Sequence, residues 1–201
     1  MTTRSTISPT AAGLRALSHP TRLRMLKRLR LQGPATATML AGELGLNTGA
    51  TSYHLRQLAE HGFVDEDPER GDARDRWWKA AHQSTRADLD APRTGEEAES
   101  AEAYLRTVAL MYTETLMQYA GEHRHLPQPW KDASTTSDWN LRLTPARARA
   151  LVDALVEVIE TWAEDGPADP DHPADPDGAG TFTVNLNAFP MPGTVVREGE
   201  A

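Results

Sequence analysis

The stretch Met39–Val64, MLAGELGLNTGATSYHLRQLAEHGFV, decides how the chain is read. Thr38–Leu44 has the makings of a short helix that stops at Gly45-Leu46-Asn47. A second helix opens at Asn47 or Thr48 and runs to about Glu60, where His61-Gly62 ends it. Phe63-Val64 then begins a strand. Two helices joined by a tight, Gly-containing turn form a helix-turn-helix, the motif whose second helix enters the DNA major groove.

The flanks extend this motif into a winged helix-turn-helix over residues 13–82. Upstream, Ala11–Leu31 reads as helix broken near Ser18-His19-Pro20, and proline at a first helical position starts a new helix at Pro20. Leu23, Leu26 and Leu29, with Met25 beside them, follow helical spacing, while Arg22, Arg24, Lys27, Arg28 and Arg30 form a basic face. Gln32-Gly33-Pro34 ends that helix, and Thr36 or Thr38 can cap the next. Downstream, Phe63–Asp67 and Asp75–Ala81 flank a turn built on Gly71-Asp72, which predicts a β-hairpin wing. Trp77 and Trp78 fall on opposite faces of its second strand, one of them facing inward.

Residues 83–94 make a polar linker, and residues 1–12 a flexible arm. A long helix is expected from about Gly95 to Glu122, because Tyr104, Leu105, Val108, Met111, Tyr112, Thr115, Leu116 and Tyr119 keep a three-four rhythm. Such a stripe needs a partner surface. With the first helix it is the expected dimer seam. Trp139–Leu143 and Thr181–Ala188 alternate like strands around a helix that starts at Thr144-Pro145. The loop before the second strand repeats PADPD at 167–171 and 173–177. A strand-helix-strand unit with two parallel strands follows as the expected topology. The fold class is mainly α (α+β), with residues 95–190 as a dimerisation and effector-binding region and 191–201 as a tail.

Charge narrows the function. The net charge is −8, yet residues 1–82 hold 12 Lys+Arg against 8 Asp+Glu, leaving the acidic excess in the second half. Nucleic-acid binding depends on local potential, and the basic half is the half with the motif. The chain has no cysteine, which excludes disulfides, thiolate metal sites and cysteine catalysis. It has no apolar run long enough to span a bilayer and no apolar signal-peptide core at its N-terminus, so a cytoplasmic location without membrane attachment is expected.

Leu14-Arg15-Ala16-Leu17-Ser18-His19-Pro20-Thr21-Arg22-Leu23-Arg24-Met25-Leu26 resembles the opening helix pair of ArsR-type winged-helix transcriptional regulators. Leu44-Gly45-Leu46, Ser52-Tyr53-His54-Leu55-Arg56-Gln57-Leu58 and Gly62-Phe63-Val64 resemble their recognition helix and its exit. The likeness covers about residues 13–81. It implies a homodimer that binds an inverted repeat in double-stranded DNA, usually as a repressor, and that an effector releases. Metal sensors of that family carry a thiolate pair in the helix before the turn. Here Ala41-Gly42-Glu43-Leu44-Gly45 offers no sulfur, so a soft-metal sensor of that kind is not expected, and no metal or cofactor is assigned to the chain.

The resemblance assigns base and phosphate contacts to Thr48, Gly49, Ser52, Tyr53, His54 and Arg56. Arg70, Arg74 and Arg76 at the wing suit phosphate or minor-groove contact, against the plainer reading of a hairpin balanced by Asp72 and Asp75. Tyr104, Met111, Tyr112, Trp130, Trp139 and Trp162 are candidates for a small-molecule effector pocket, with core or dimer seam as the competing reading. His123-Arg124-His125 is too closely spaced for a helical metal site. No catalytic constellation stands out, so an enzyme is not expected. A winged-helix protein-interaction module and a metal sensor using His and carboxylates stay open as alternatives.

Overall fold

The computed structural model describes residues 5–70, 75–87, 95–162 and 180–195. The chain divides into two compact units, residues 1–133 with 167–181, and residues 134–166 with 182–201.

In the first unit, chain order is β1 (Thr6–Ile7), α1 (Ala11–Leu17), α2 (Pro20–Gln32), β2 (Ala35–Thr36), α3 (Ala37–Leu44), α4 (Thr48–Glu60), β3 (Val64–Glu66), β4 (Trp77–Ala80), β5 (Ser84–Thr85), α5 (Glu96–Glu122), a 3-10 turn at His123–His125, and α6 (Gln128–Ala133). This is a winged helix-turn-helix fold, mainly helical. Its small sheet is antiparallel with order β2-β4-β3. Trp78 lies at the centre, opposite Ala35 on one side and Glu66 on the other. The period of two holds on β4, with Trp78 buried and Trp77 half-exposed. Thr6–Ile7, within the stretch expected as an arm, pairs in parallel with Ser84–Thr85, within the stretch expected as a linker.

Helix boundaries follow local chemistry. Thr36 caps α3 by accepting the Met39 N–H at 3.2 Å. His19 caps α2 through Nδ1, which accepts from Thr21 N, with Pro20 in the first turn. The helices close on one core that includes Leu14 and Leu17 of α1, Met25, Leu26 and Leu29 of α2, Leu40 of α3, Leu55 and Leu58 of α4, Phe63, Val64, Trp78 and, from α5, Tyr104. Burying each such side chain stabilises the fold by about 1.5–3 kcal/mol before entropy is counted. Gly13 admits a close approach, because a Cβ there would meet the Phe63 ring at 3.3 Å.

The cations of α2 tie the unit together. Arg24 pairs with Glu114 at 2.6 Å, and Lys27 donates to the Thr115 hydroxyl at 2.6 Å. Arg28 reaches Glu43, and Arg30 donates to the His82 carbonyl and the Thr85 hydroxyl, both at 2.8 Å. Burial brings the Arg30 guanidinium down to about 10, with nearby Tyr104 acting in the opposite sense. Helix α5 is fastened to α1 as well, since Thr107 donates to the Ser18 carbonyl at 2.8 Å and Arg15 pairs with Glu96 at 3.1 Å.

In the second unit, α7 (Pro145–Trp162) begins where Thr144-Pro145 predicts a helix, and Thr144 Oγ1 accepts from Arg147 N. The expected strands flanking it do not form. Trp139–Leu143 and Thr181–Ala188 run without regular structure, and Phe182, Val184 and Leu186 are exposed. Alternation marks a segment that could join a sheet. It supplies no hydrogen-bonded neighbour, and a lone pair of short strands is marginal.

Candidate nucleic-acid interface

The geometry of α4 starts with the turn before it. Gly45 takes the left-handed conformation, φ 65°, that ends α3, and its N–H bonds the Ala41 carbonyl. Asn47 then caps α4, its Oδ1 accepting the Ala50 N–H at 2.7 Å. Thr51 is fully buried and returns a hydroxyl hydrogen bond to the Asn47 carbonyl at 3.1 Å. These bonds fix the first turn while Leu55 and Leu58 anchor the inner face.

The opposite face presents Thr48, Gly49, Tyr53 and Arg56 as exposed residues, with Ser52 half-buried beside them. Arg56 Nε donates to the Ser52 carbonyl at 3.2 Å, which lays the guanidinium along the helix. Ser52 and Arg56 line an open cavity of about 410 Å³ together with Thr36, Ala37 and Thr38 at the start of α3 and Asp75, Arg76 and Trp78 of the wing. Helix α4 and the wing therefore share one concave surface, edged by hydroxyls, guanidinium groups and the Asp75 carboxylate.

The wing cations are held from below. Arg76 pairs with Glu66 at 3.0 Å and lies over the Trp78 ring at 5.9 Å from its centroid. Buried Asp67 receives Lys79 at 3.4 Å and Arg70 at 4.0 Å. Arg74 lies outside the described residues.

His54 is turned toward α2 rather than outward with Tyr53. Its ring is 4.6 Å from that of His19, and the Tyr53 ring meets it edge-on at 5.6 Å. Arg22 stands beside the pair, its Nε donating to the Ala16 carbonyl. Burial lowers the affinity of His19 for a proton, and Arg22 lowers it further. His54 is lowered by burial, then by His19 and Arg22. Sequence reasoning did not single out His19 for this surface. Its only local signal is its place ahead of Pro20, where it reads as a helix cap.

The six aromatic and methionine candidates have different settings. Tyr104 is in the core of the first unit, where burial, then Tyr112, pushes its hydroxyl up to about 12, with Arg30 opposing. Met111 and Tyr112 are half-buried on α5, and Trp130 is half-buried on α6, where a Cβ at Gly180 would touch its ring at 3.3 Å. Trp139 and Trp162 are exposed side chains of the second unit, at 77% and 82%. Among the described residues, no three His, Asp or Glu side chains come together as metal ligands would, and no helix is long and apolar enough to cross a membrane.

The fold and this surface define a winged helix-turn-helix protein. Residues 17–67 match the family of the helix-turn-helix domain, from the last residue of α1 to the end of the first wing strand. No curated protein matches the chain. Among solved structures, similarity is found to an apo mutant of ZitR from Lactococcus lactis, at 16% identity over 71% of this chain and 83% of that one, TM-score 0.33. ZitR of the same organism in complex with DNA is 16% identical over 70% and 74%, TM-score 0.31. The transcriptional regulator Tm0710 from Thermotoga maritima is 12% identical over 73% and 78%, TM-score 0.30.

Proposed function

We propose that this chain is a sequence-specific, DNA-binding transcription regulator of ArsR type, acting as a homodimeric repressor on an inverted repeat. The observation that carries the reading is the shared concavity of α4 and the wing, in which Ser52 and Arg56 meet Arg76. An α-helix with short hydroxyl side chains and one exposed guanidinium on its outer face suits the major groove. Arg56 is placed to pair with guanine, a contact worth about 1–3 kcal/mol of discrimination. Thr48, Gly49 and Tyr53 border it and serve phosphate and base-edge contacts, while Arg70, Arg74 and Arg76 serve the backbone beside the wing.

Homodimerisation is assigned to α5. One side of this helix is spent on α1 and α2 through Tyr104, Thr107 and Thr115, and the other leaves Leu105, Leu110, Leu116 and Met117 exposed. A second copy of α5 would cover such a row and set two recognition helices about one DNA turn apart. The test is operator selection from a random duplex library with the wild-type chain and with Arg56→Ala. An enriched two-fold-symmetric sequence in which Arg56→Ala relaxes a guanine position supports the reading. A library without enrichment contradicts it.

A further inference from the structure

Helix α7 carries more apolar surface than its own unit covers. It is 18 residues long and has no buried residue. Ala148, Val152, Val156 and Ile159 form one row, half-buried. Leu151, Leu155, Val158 and Trp162 form a second row beside it. All four are exposed, from 38% at Leu151 and Leu155 to 82% at Trp162. Helices in proteins gain most of their stability by packing such a face, so the uncovered row marks a partner surface.

The row itself points to the partner. Its four-three-four spacing is that of a coiled-coil seam. The flanking positions Val152, Ala154, Ile159 and Thr161 are uncharged, so a facing helix has no charge to desolvate there. The charges of α7 are divided by sign along its length. Arg147 and Arg149 stand at the N-terminal end, and Asp153, Glu157 and Glu160 follow toward the C-terminal end. Beside a parallel copy, like charges would share a level. Beside an antiparallel copy, the basic end of each helix lies along the acidic half of the other. That orientation also makes the row self-complementary. Leu155 then faces the partner's Val158, Leu151 faces the partner's Trp162, and two-fold symmetry repeats both contacts.

We infer that α7 is a second self-association surface, whose row Leu151, Leu155, Val158 and Trp162 packs antiparallel on the same row of a second copy. Leu155 and Val158 form its centre, and Leu151 and Trp162 its solvent-washed rims. The inference rests on the homodimer reading above and adds to it a contact in the second unit, outside α5.

The test uses the full chain. Sedimentation equilibrium gives the dimer dissociation constant of the wild type, Leu155→Glu, Leu110→Glu on the exposed side of α5, and Ala150→Glu outside the α7 row. Leu155→Glu should weaken association by about tenfold or more, because each copy brings a carboxylate into the seam. Ala150→Glu should change it by less than about twofold. Leu155 is exposed in its own unit, so the substitution should leave α7 helical, which circular dichroism checks. Orientation is read without touching the row or its charges. The chain has no cysteine, so Ala146→Cys, Ala150→Cys and Thr161→Cys each carry one spin label. In the antiparallel pair the labels are separated along the helix axis by about 30, 20 and 14 Å in that order, so dipolar distances should fall from Ala146→Cys to Thr161→Cys. Distances that do not fall in that order, or association that Leu110→Glu dissolves and Leu155→Glu leaves unchanged, overturn the inference and leave the homodimer reading standing. A wild-type chain that stays monomeric at every concentration removes the homodimer reading and this inference together.

Discussion

Arg28 of α2 grips Glu43 of α3 with two parallel hydrogen bonds, Nε to Oε2 at 2.7 Å and Nη2 to Oε1 at 2.8 Å, while its Nη1 donates to the Gly33 carbonyl at 2.9 Å. The Arg28 side chain is only 13% exposed. One guanidinium thus fixes the helix that precedes the turn and the loop that leads into it. Lysine cannot reproduce a planar, two-pronged contact. Arg28→Lys is expected to lower unfolding stability by about 1–2 kcal/mol, the scale of hydrogen bonds to a charged group, as read by urea denaturation. An unchanged midpoint would show that the fork is not a structural tie.

The histidine pair also predicts how stability depends on pH. Both groups bind protons less readily in the folded chain than in the unfolded one, burial being the first cause. Below the unfolded value near 6.5 the unfolded state takes up more protons, so stability falls as pH drops. The contribution is fully present above that value and is lost as pH passes down through the lowered folded values. Thermal melts of the wild type should therefore decline between about pH 7 and about pH 5 more steeply than those of His54→Gln. Parallel curves would exclude this pair as the source.

Tyr104 and Trp162 provide a contrast between two aromatic residues read alike from sequence. Tyr104 is 8% exposed and packed in the core of the first unit, whereas Trp162 is at the exposed end of α7. Tyr104→Ala is expected to cost about 3–5 kcal/mol, as for other large buried aromatics. Trp162→Ala should change stability by no more than about 0.5 kcal/mol. Alkaline absorbance titration gives an independent check, since the Tyr104 hydroxyl, pushed up to about 12, should ionise well above the usual tyrosine range.

The cap at Asn47 supports α4 before any contact with a ligand. Asn47→Ala removes the bond to Ala50 N at 2.7 Å and should cost about 1 kcal/mol. Asn47→Asp keeps an acceptor at the same place and should retain most of that stability in the same chemical denaturation experiment.

The parts of the fold that could be read in sequence are those whose causes are local. Pro20, Thr36, Gly45 and Asn47 act within four residues of themselves, and the helix boundaries they set lie where they predict. The apolar periodicity of α2 names core residues correctly because the helix has one wall to face. Relations across the chain were not legible. The partners of the α2 cations come from Glu43, His82, Thr85, Glu114 and Thr115, so what the sequence shows only as a basic face is largely engaged. The contact of His19 with His54 depends on the packing of α2 against α4, which no single segment encodes. Alternation over 139–143 and 181–188 predicts strands, but a strand needs a neighbour, and neither segment finds one among the described residues.

If α4 and the wing form one DNA-reading surface, binding must respond to salt as a phosphate-backbone contact does. Anisotropy is measured for the full chain with labelled intergenic DNA from upstream of its own gene and with a scrambled duplex, for the wild type, Arg56→Ala and Arg74→Ala. Binding should be tighter to the native duplex, with an affinity that falls steeply with salt. Arg56→Ala should erase the preference between duplexes, while Arg74→Ala should weaken both alike and reduce the salt slope by about 1. Binding that ignores salt, or a preference for the native duplex that survives Arg56→Ala intact, would contradict it.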